Sequence, residues 1–182
     1  GGCNTALGPN ALYNSLSGNH NFAAGQNALY SNWGGSCNNA MGYRALCKNT
    51  TGCYNTAIGY SVLQNNTTGG KNTGIGVHAL DQNTTGQDNF AVGYYAAQSN
   101  TTGIHNTGLG RYTLNSNTTG DYNFAAGLCS NFRAVSGENN ISIGQMSLLW
   151  VKMLYIAIQV IIIMLWVGML YVAIQPGVII LL

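Results

Sequence analysis

The sequence predicts an all-β chain, a parallel β-solenoid (β-roll) of about nine 17-residue coils. Three observations carry this. Asparagine recurs every 17 residues, at Asn4, Asn21, Asn38, Asn55, Asn72, Asn89, Asn106, Asn123 and Asn140. With that asparagine as position 1, position 5 is always glycine: Gly8, Gly25, Gly42, Gly59, Gly76, Gly93, Gly110, Gly127 and Gly144. Position 15 is glycine too, in steps of 17 from Gly18 to Gly137.

A 17-residue unit is too short for the paired helices of helical repeats. Two fixed glycines and recurring Asn-Thr-Thr-Gly also oppose helix, because glycine loses most backbone entropy and Asn and Thr compete for backbone hydrogen bonds. Two short strands with two turns per coil fit the length. The glycines then take positive φ or sit where backbones approach closely. Stacked coils lie about 4.8 Å apart and bring like side chains into columns. The asparagines of position 1 become an amide ladder of the kind seen in cross-β stacks. Threonine columns run from Thr50 and Thr51 to Thr118 and Thr119. The unit admits no insertion, since one extra residue would break every column.

Within the unit, position 3 is small (Ala6, Ala57, Gly74, Ser142) and position 4 apolar, from Leu7 through Ile58 and Ile75 to Ile143. Position 9 is most often leucine, as at Leu12, Leu29, Leu46, Leu63, Leu80 and Leu114. Positions 4, 8 and 9 are therefore the expected core. It supplies only a few kcal/mol per coil at ~25 cal/mol per Å², against an ordering cost of ~1.5 kcal/mol per residue. Association of chains, as a homotrimer burying the Ala and Gly positions, is the expected remedy.

Composition narrows the function. Only 5% of residues are charged and the formal net charge is +2, so no field exists to steer nucleic acid. Cys3, Cys37, Cys47, Cys53 and Cys129 are odd in number and form no CxxC pair, which argues for free thiols over disulfides or zinc. No nucleotide loop, Ser/His/Asp set or paired metal ligands appear, so no catalytic residue, metal or cofactor is expected. Gly1-Gly2-Cys3 shows neither an initiator Met nor a signal-peptide pattern, and the chain reads as a fragment.

The unit Asn55-Thr-Ala-Ile-Gly-Tyr-Ser-Val-Leu, followed by Gln-Asn-Asn-Thr-Thr-Gly69, resembles the repeats of bacteriophage and large-virus tail-fibre proteins. It is also similar to the Asn-x-x-Ala-Ile-Gly coils in the heads of trimeric autotransporter adhesins. The resemblance covers residues 2–149. It implies a trimeric β-roll used in attachment, at a virion or extracellular surface.

Residues 1–147 form the expected solenoid and 148–182 a separate hydrophobic tail. From Leu148 to Ile174 the only charge is Lys152, and ~20 apolar residues suffice to span a bilayer. Yet Trp150-Val-Lys-Met-Leu-Tyr-Ile-Ala-Ile-Gln159 returns as Trp166-Val-Gly-Met-Leu-Tyr-Val-Ala-Ile-Gln175, which no transmembrane packing requires. A shifted frame accounts for it: Trp followed by Val forces a glycine codon, and the other steps permit Asn-Ala-Leu and Asn-Thr-Thr-Gly. The tail is thus expected to be an out-of-frame translation of the same repeat, and otherwise a transmembrane anchor.

Four candidate sites follow from the columns. Tyr54, Lys71, Asp88, His105 and Tyr122 share position 17; as a stripe of rings and polar groups they are the expected glycan-contact column, and Lys71 stands over Asp88 as a surface ion pair. Asp121 and Glu138 share position 16 on adjacent coils, near the ~5 Å carboxyl separation of retaining glycosidases, yet nothing in the sequence raises either pKa. Asn49, Asn66, Asn83, Asn100 and Asn117 open Asn-x-Thr sequons, which turn chemistry alone also explains. The Thr-Thr pairs place one hydroxyl inward and one outward, a single file poorly suited to ice. The expected function is a structural segment of a fibre or adhesin for host or surface attachment. The alternatives are a membrane-anchored adhesin and a polysaccharide depolymerase.

Overall fold

The computed structural model describes residues 2–132 and 135–145. The chain divides between Ser147 and Leu148 into two units, and all described residues belong to the first. The expectations for the tail, frameshift product or transmembrane helix, lie outside the described residues. Among those that are described, no helix is long and apolar enough to cross a membrane.

The described chain is a parallel β-solenoid. Nine three-residue strands, β1 (Thr5–Leu7), β2 (Phe22–Ala24), β3 (Asn39–Met41), β4 (Thr56–Ile58), β5 (Thr73–Ile75), β6 (Phe90–Val92), β7 (Thr107–Leu109), β8 (Phe124–Ala126) and β9 (Ile141–Ile143), form one sheet in sequence order. Each strand pairs with the next in parallel and in exact repeat register: Ala40 faces Ala57 and Met41 faces Ile58. The sequence led to two strands per coil, but there is one, at positions 2–4. The rest of the coil closes through left-handed residues, which a pattern of alternating hydrophobicity does not reveal.

Four positions per coil have positive φ. Glycine fills position 5, with φ 129° at Gly59, and a Cβ on Gly25 would stand 2.5 Å from the carbonyl oxygen of Gly42. Positions 7, 9 and 17 hold ordinary residues, as at Ser61 (φ 52°), Leu63 (φ 50°) and Lys71 (φ 58°). A left-handed conformation costs an L-residue ~1–2 kcal/mol. Here it turns the N–H along the solenoid axis to a neighbouring coil: Ser61 donates to the Tyr43 carbonyl at 2.8 Å, Leu63 to Ala79 at 3.1 Å and Lys71 to Cys53 at 2.9 Å. The hydrogen bond offsets the strain, and without it a polar group would be orphaned in every coil.

The core differs from the expected one at position 4. A strand alternates its side chains between faces, and position 3 is the one that points in. Ala23, Ala40, Ala57, Ala91 and Ala125 are fully buried, with the position-8 residues Ala28, Ala45, Val62, Ala79 and Ala96 and the position-9 residues Leu29, Leu46, Leu63, Leu80 and Leu114. Position 4 points out, leaving Leu7 57%, Met41 40% and Ile143 69% exposed. Volumes compensate between positions 3 and 8. A Cβ on Gly74 would meet Val62 Cγ1 at 2.5 Å and one on Gly108 would meet Thr113 Oγ1 at 2.9 Å, so the larger position-8 side chains stand against glycine.

Candidate functional site

Two asparagine ladders line the interior. In the first, the position-1 Oδ1 accepts the backbone N–H of the next asparagine and, at every step but Asn89 to Asn106, its side-chain amide as well; Asn38 Oδ1 lies 2.9 Å from Asn55 N and 3.1 Å from Asn55 Nδ2. The amide then donates onward to the position-15 carbonyl of its own coil, as from Asn55 to Gly69 at 2.9 Å. Asn21, Asn38, Asn55, Asn72, Asn89, Asn106 and Asn123 are buried, whereas Asn4 is half-buried and Asn140 exposed at the ends of the stack. Buried amides with every donor paired are the condition for a stable polar core.

The second ladder is the one the sequence reading missed. Asn32, Asn49, Asn66, Asn83, Asn100 and Asn117 occupy position 12, all buried. Asn66 Nδ2 donates to Asn49 Oδ1 at 2.8 Å and to the Gly69 carbonyl at 2.9 Å. Their fixed spacing was visible, but the sequon and turn readings offered sufficient explanations of it. The glycosylation acceptors Asn49, Asn66, Asn83, Asn100 and Asn117 are thus interior structural groups, closed to modification in the folded chain. The ladder stops at Asn117, whose Oδ1 has no hydrogen-bond partner among the described residues; the next position 12 is Ala134.

Both ladders converge on the second fixed glycine. A Cβ on Gly52 would stand 2.5 Å from Asn49 Oδ1 and collide with the Gly69 carbonyl oxygen. Gly52 has no left-handed φ, so its glycine follows from close approach alone.

The threonines split as expected. Position 13 turns its hydroxyl to the next coil, Thr67 Oγ1 donating to the Thr84 carbonyl at 3.0 Å, and position 14, as at Thr68 and Thr85, is exposed.

The position-17 column lies on the surface. Tyr54, Lys71, His105 and Tyr122 are exposed and Asp88 is half-buried, all five left-handed. His105 and Tyr122 stack with centroids 4.8 Å apart and planes 17° from parallel. The anticipated Lys71–Asp88 pair does not form: among the described residues the contact between a basic and an acidic side chain is the one between His78 Nδ1 and Asp81 Oδ2 at 3.0 Å. Adjacent Cα atoms in a column need not bring opposite charges together when both side chains can reach water.

Asp121 has a structural task. Its Oδ1 accepts the Ile104 N–H at 2.7 Å. Ser36 Oγ does the same for Asn19 N at 3.0 Å and Cys53 Sγ for Ser36 N at 3.3 Å, so position 16 caps the backbone of the coil before it. The five cysteines are free, Cys3 and Cys37 exposed and the others half-buried. Burial pushes the Cys47 thiol pKa up, opposed by the charges of Arg44 and Lys48. Among the described residues no group of His, Cys, Asp and Glu is placed to hold a metal ion.

A second surface feature was not anticipated. Positions 6, 7 and 10 carry an aromatic file through six consecutive coils. Tyr43 stacks on Tyr60 at 5.0 Å, Tyr60 meets His78 at 5.4 Å, and His78 meets Tyr95 at 5.0 Å. Tyr95 and Tyr94 both contact Tyr112 at 5.6 Å, and Tyr112 meets Phe132 edge-on at 6.1 Å. Loss of solvent around Tyr95, then the neighbouring Tyr94 and Tyr112, pushes its pKa up. Asp81 lies beneath the file, nearly buried, with His78 Nδ1 at 3.0 Å and the amides of Gln82 and Asn65 at 3.3 Å. The rings shift between positions 6 and 7 from coil to coil, so no single column of the sequence carries the file.

Comparison with family models, curated proteins and solved structures finds no match to this chain.

Proposed function

We propose that this chain is a structural repeat segment of a fibre or adhesin, a rigid shaft carrying an attachment function at a virion or extracellular surface. The observation that carries this reading is the unbroken register of nine strands in a single sheet. Eight steps of about 4.8 Å make a rod ~38 Å long over the described coils, and each added coil lengthens it by the same step. A spacer needs that property, and nothing in it calls for catalysis.

The homotrimer belongs to the same proposal, on a different footing from the one the sequence offered. The Ala positions are already buried within one chain, so they leave nothing for a partner. What remains open is the outer face of the sheet, positions 2 and 4, where Leu7, Met41, Phe90, Ile141 and Ile143 are exposed and no charged residue occurs in β1 to β9. Flat apolar surface of this kind favours lateral packing. The membrane-anchored adhesin remains the alternative, supported by the apolar run Leu148–Ile174. A depolymerase is less well supported, because Asp121 is engaged as a backbone cap.

Two measurements test the proposal. Sedimentation of the full chain in mild detergent is expected to give a trimer; a monomer overturns the trimeric part. Immunogold electron microscopy of the producing particle or cell is expected to label external fibres. Label confined to the interior overturns the attachment reading.

A further inference from the structure

The aromatic file carries two cations that the fold does not neutralise. The Arg111 guanidinium lies 5.4 Å from the Tyr94 ring centre and 4.9 Å from that of Tyr112. Arg44 lies 5.4 Å from the Tyr43 ring. Both are exposed, and among the described residues neither is paired with a carboxylate. A guanidinium held against a ring face keeps its N–H edge free and pre-oriented for an oxyanion.

We propose that this tyrosine–arginine file binds an acidic polysaccharide laid along the solenoid axis. Arg44 and Arg111 take its carboxylates, and the ring edges and hydroxyls between them take its sugars. Arg44 and Arg111 stand four coils apart, ~19 Å at 4.8 Å per coil. That spacing selects the polymer. Duplex DNA carries a charge every ~1.7 Å and needs many cations to hold it, whereas two distant guanidiniums separated by uncharged rings and hydroxyls suit a chain with sparse charges and many hydroxyls. Tyr43 and Tyr60 each spend one face on the other, while Tyr60–His78, Tyr94–Tyr112 and Tyr112–Phe132 meet edge to face, so the file is not a row of parallel stacking platforms of the kind successive bases use. Asp81 does not oppose the ligand strongly, because its carboxylate is turned inward to His78, Gln82 and Asn65.

This inference rests on the attachment reading and moves the contact from position 17 to the file. The test is retention of the full chain on immobilised hyaluronan, with dextran as the neutral polymer and poly(dT) as the nucleic acid. Hyaluronan is expected to retain the chain, dextran and poly(dT) to retain it far less, and added salt to weaken the binding. The double variant Arg44→Gln, Arg111→Gln is expected to lose about tenfold or more in affinity, the scale of losing charge-assisted hydrogen bonds, with an unchanged melting curve. Lys71→Gln and Tyr122→Ala are expected to leave retention as it was. Equal retention on dextran, preference for poly(dT), or full retention by the double arginine variant overturns the proposal. Loss of binding in the Lys71 or Tyr122 variants alone also overturns it, and in that case attachment through position 17 stands. An intact solenoid that retains none of the three polymers overturns it as well, and the attachment reading is then judged by the labelling experiment above.

Discussion

The side-chain amides of Asn38 and Asn49 meet at one atom. Both donate to the carbonyl oxygen of Gly52, at 2.8 Å and 2.9 Å. The two ladders are thereby tied together in the six coils that carry both asparagines, at Gly35, Gly52, Gly69, Gly86, Gly103 and Gly120. Polar groups do much of the work that a thicker apolar core does elsewhere, and the interior tolerates them because donors and acceptors are matched along the stack.

Breaking a ladder in the middle should therefore cost more than a surface change of equal size. Asn66→Asp keeps the shape but removes the donors to Asn49 and Gly69 and sets acceptor against acceptor. A loss of about 2–4 kcal/mol is expected, against less than ~0.5 kcal/mol for Thr68→Ala on the exposed file. Urea denaturation followed by circular dichroism distinguishes the two; equal midpoints would sink the idea that the ladder stabilises the fold.

Gly34 and Gly35 are neighbours in sequence with opposite requirements. A Cβ on Gly34 meets Ser17 Oγ at an ordinary 3.5 Å, whereas one on Gly35 would stand 2.5 Å from Asn32 Oδ1 and 2.6 Å from Asn49 Nδ2. Gly34→Ala should fold and melt within a few degrees of the parent. Gly35→Ala should lose several kcal/mol, the scale of overpacking combined with a broken polar network, or fail to fold. Thermal melts of the two variants decide, and a Gly35→Ala chain as stable as Gly34→Ala contradicts the close-approach account.

Asn131 is a flaw in the leucine column. It occupies position 9, almost fully buried, and neither its Oδ1 nor its Nδ2 has a hydrogen-bond partner among the described residues. Asn131→Leu restores the residue found at this left-handed position in Leu63 and Leu80. Removing an unpaired buried amide should stabilise the chain by about 1 kcal/mol, reduced somewhat because Asn accepts positive φ more readily than Leu. A lower melting temperature for the variant would show that the amide has a partner in solution.

Tyr95 should make the solenoid sensitive to alkali. Its pKa lies above the ordinary 10.0, so the fold favours the protonated phenol. The associated stability is complete below pH ~10 and is lost as pH rises through the raised folded value. Melting temperatures at pH 8 and pH 11 should fall less for Tyr95→Phe than for the parent. Parallel falls in the two chains would remove Tyr95 as the cause.

The repeat could be read without coordinates because every column is written in sequence at one spacing. Asn at position 1 and Gly at positions 5 and 15 recur without exception, and only a stack in register makes that repetition useful. The free thiols followed from the cysteine spacing. The inward or outward sense of each position was harder. Positions 3 and 4 are both apolar or small in most coils, as at Ala57 and Ile58, and nothing local says which one faces the interior.

The period, the parallel solenoid and the columns are written in the amino-acid sequence, because they depend only on which residues recur at a fixed interval. What each column does depends on the folded coil. It turned position 4 outward and position 3 inward, since strand alternation is fixed by the closure of the coil. It made Asn66 an interior ladder rung where the sequence showed a sequon. It also gathered Tyr60, His78 and Tyr95 into one file across two columns. Direction depends on backbone conformation, and at positions 7, 9 and 17 that conformation is held by hydrogen bonds between coils that no single coil contains.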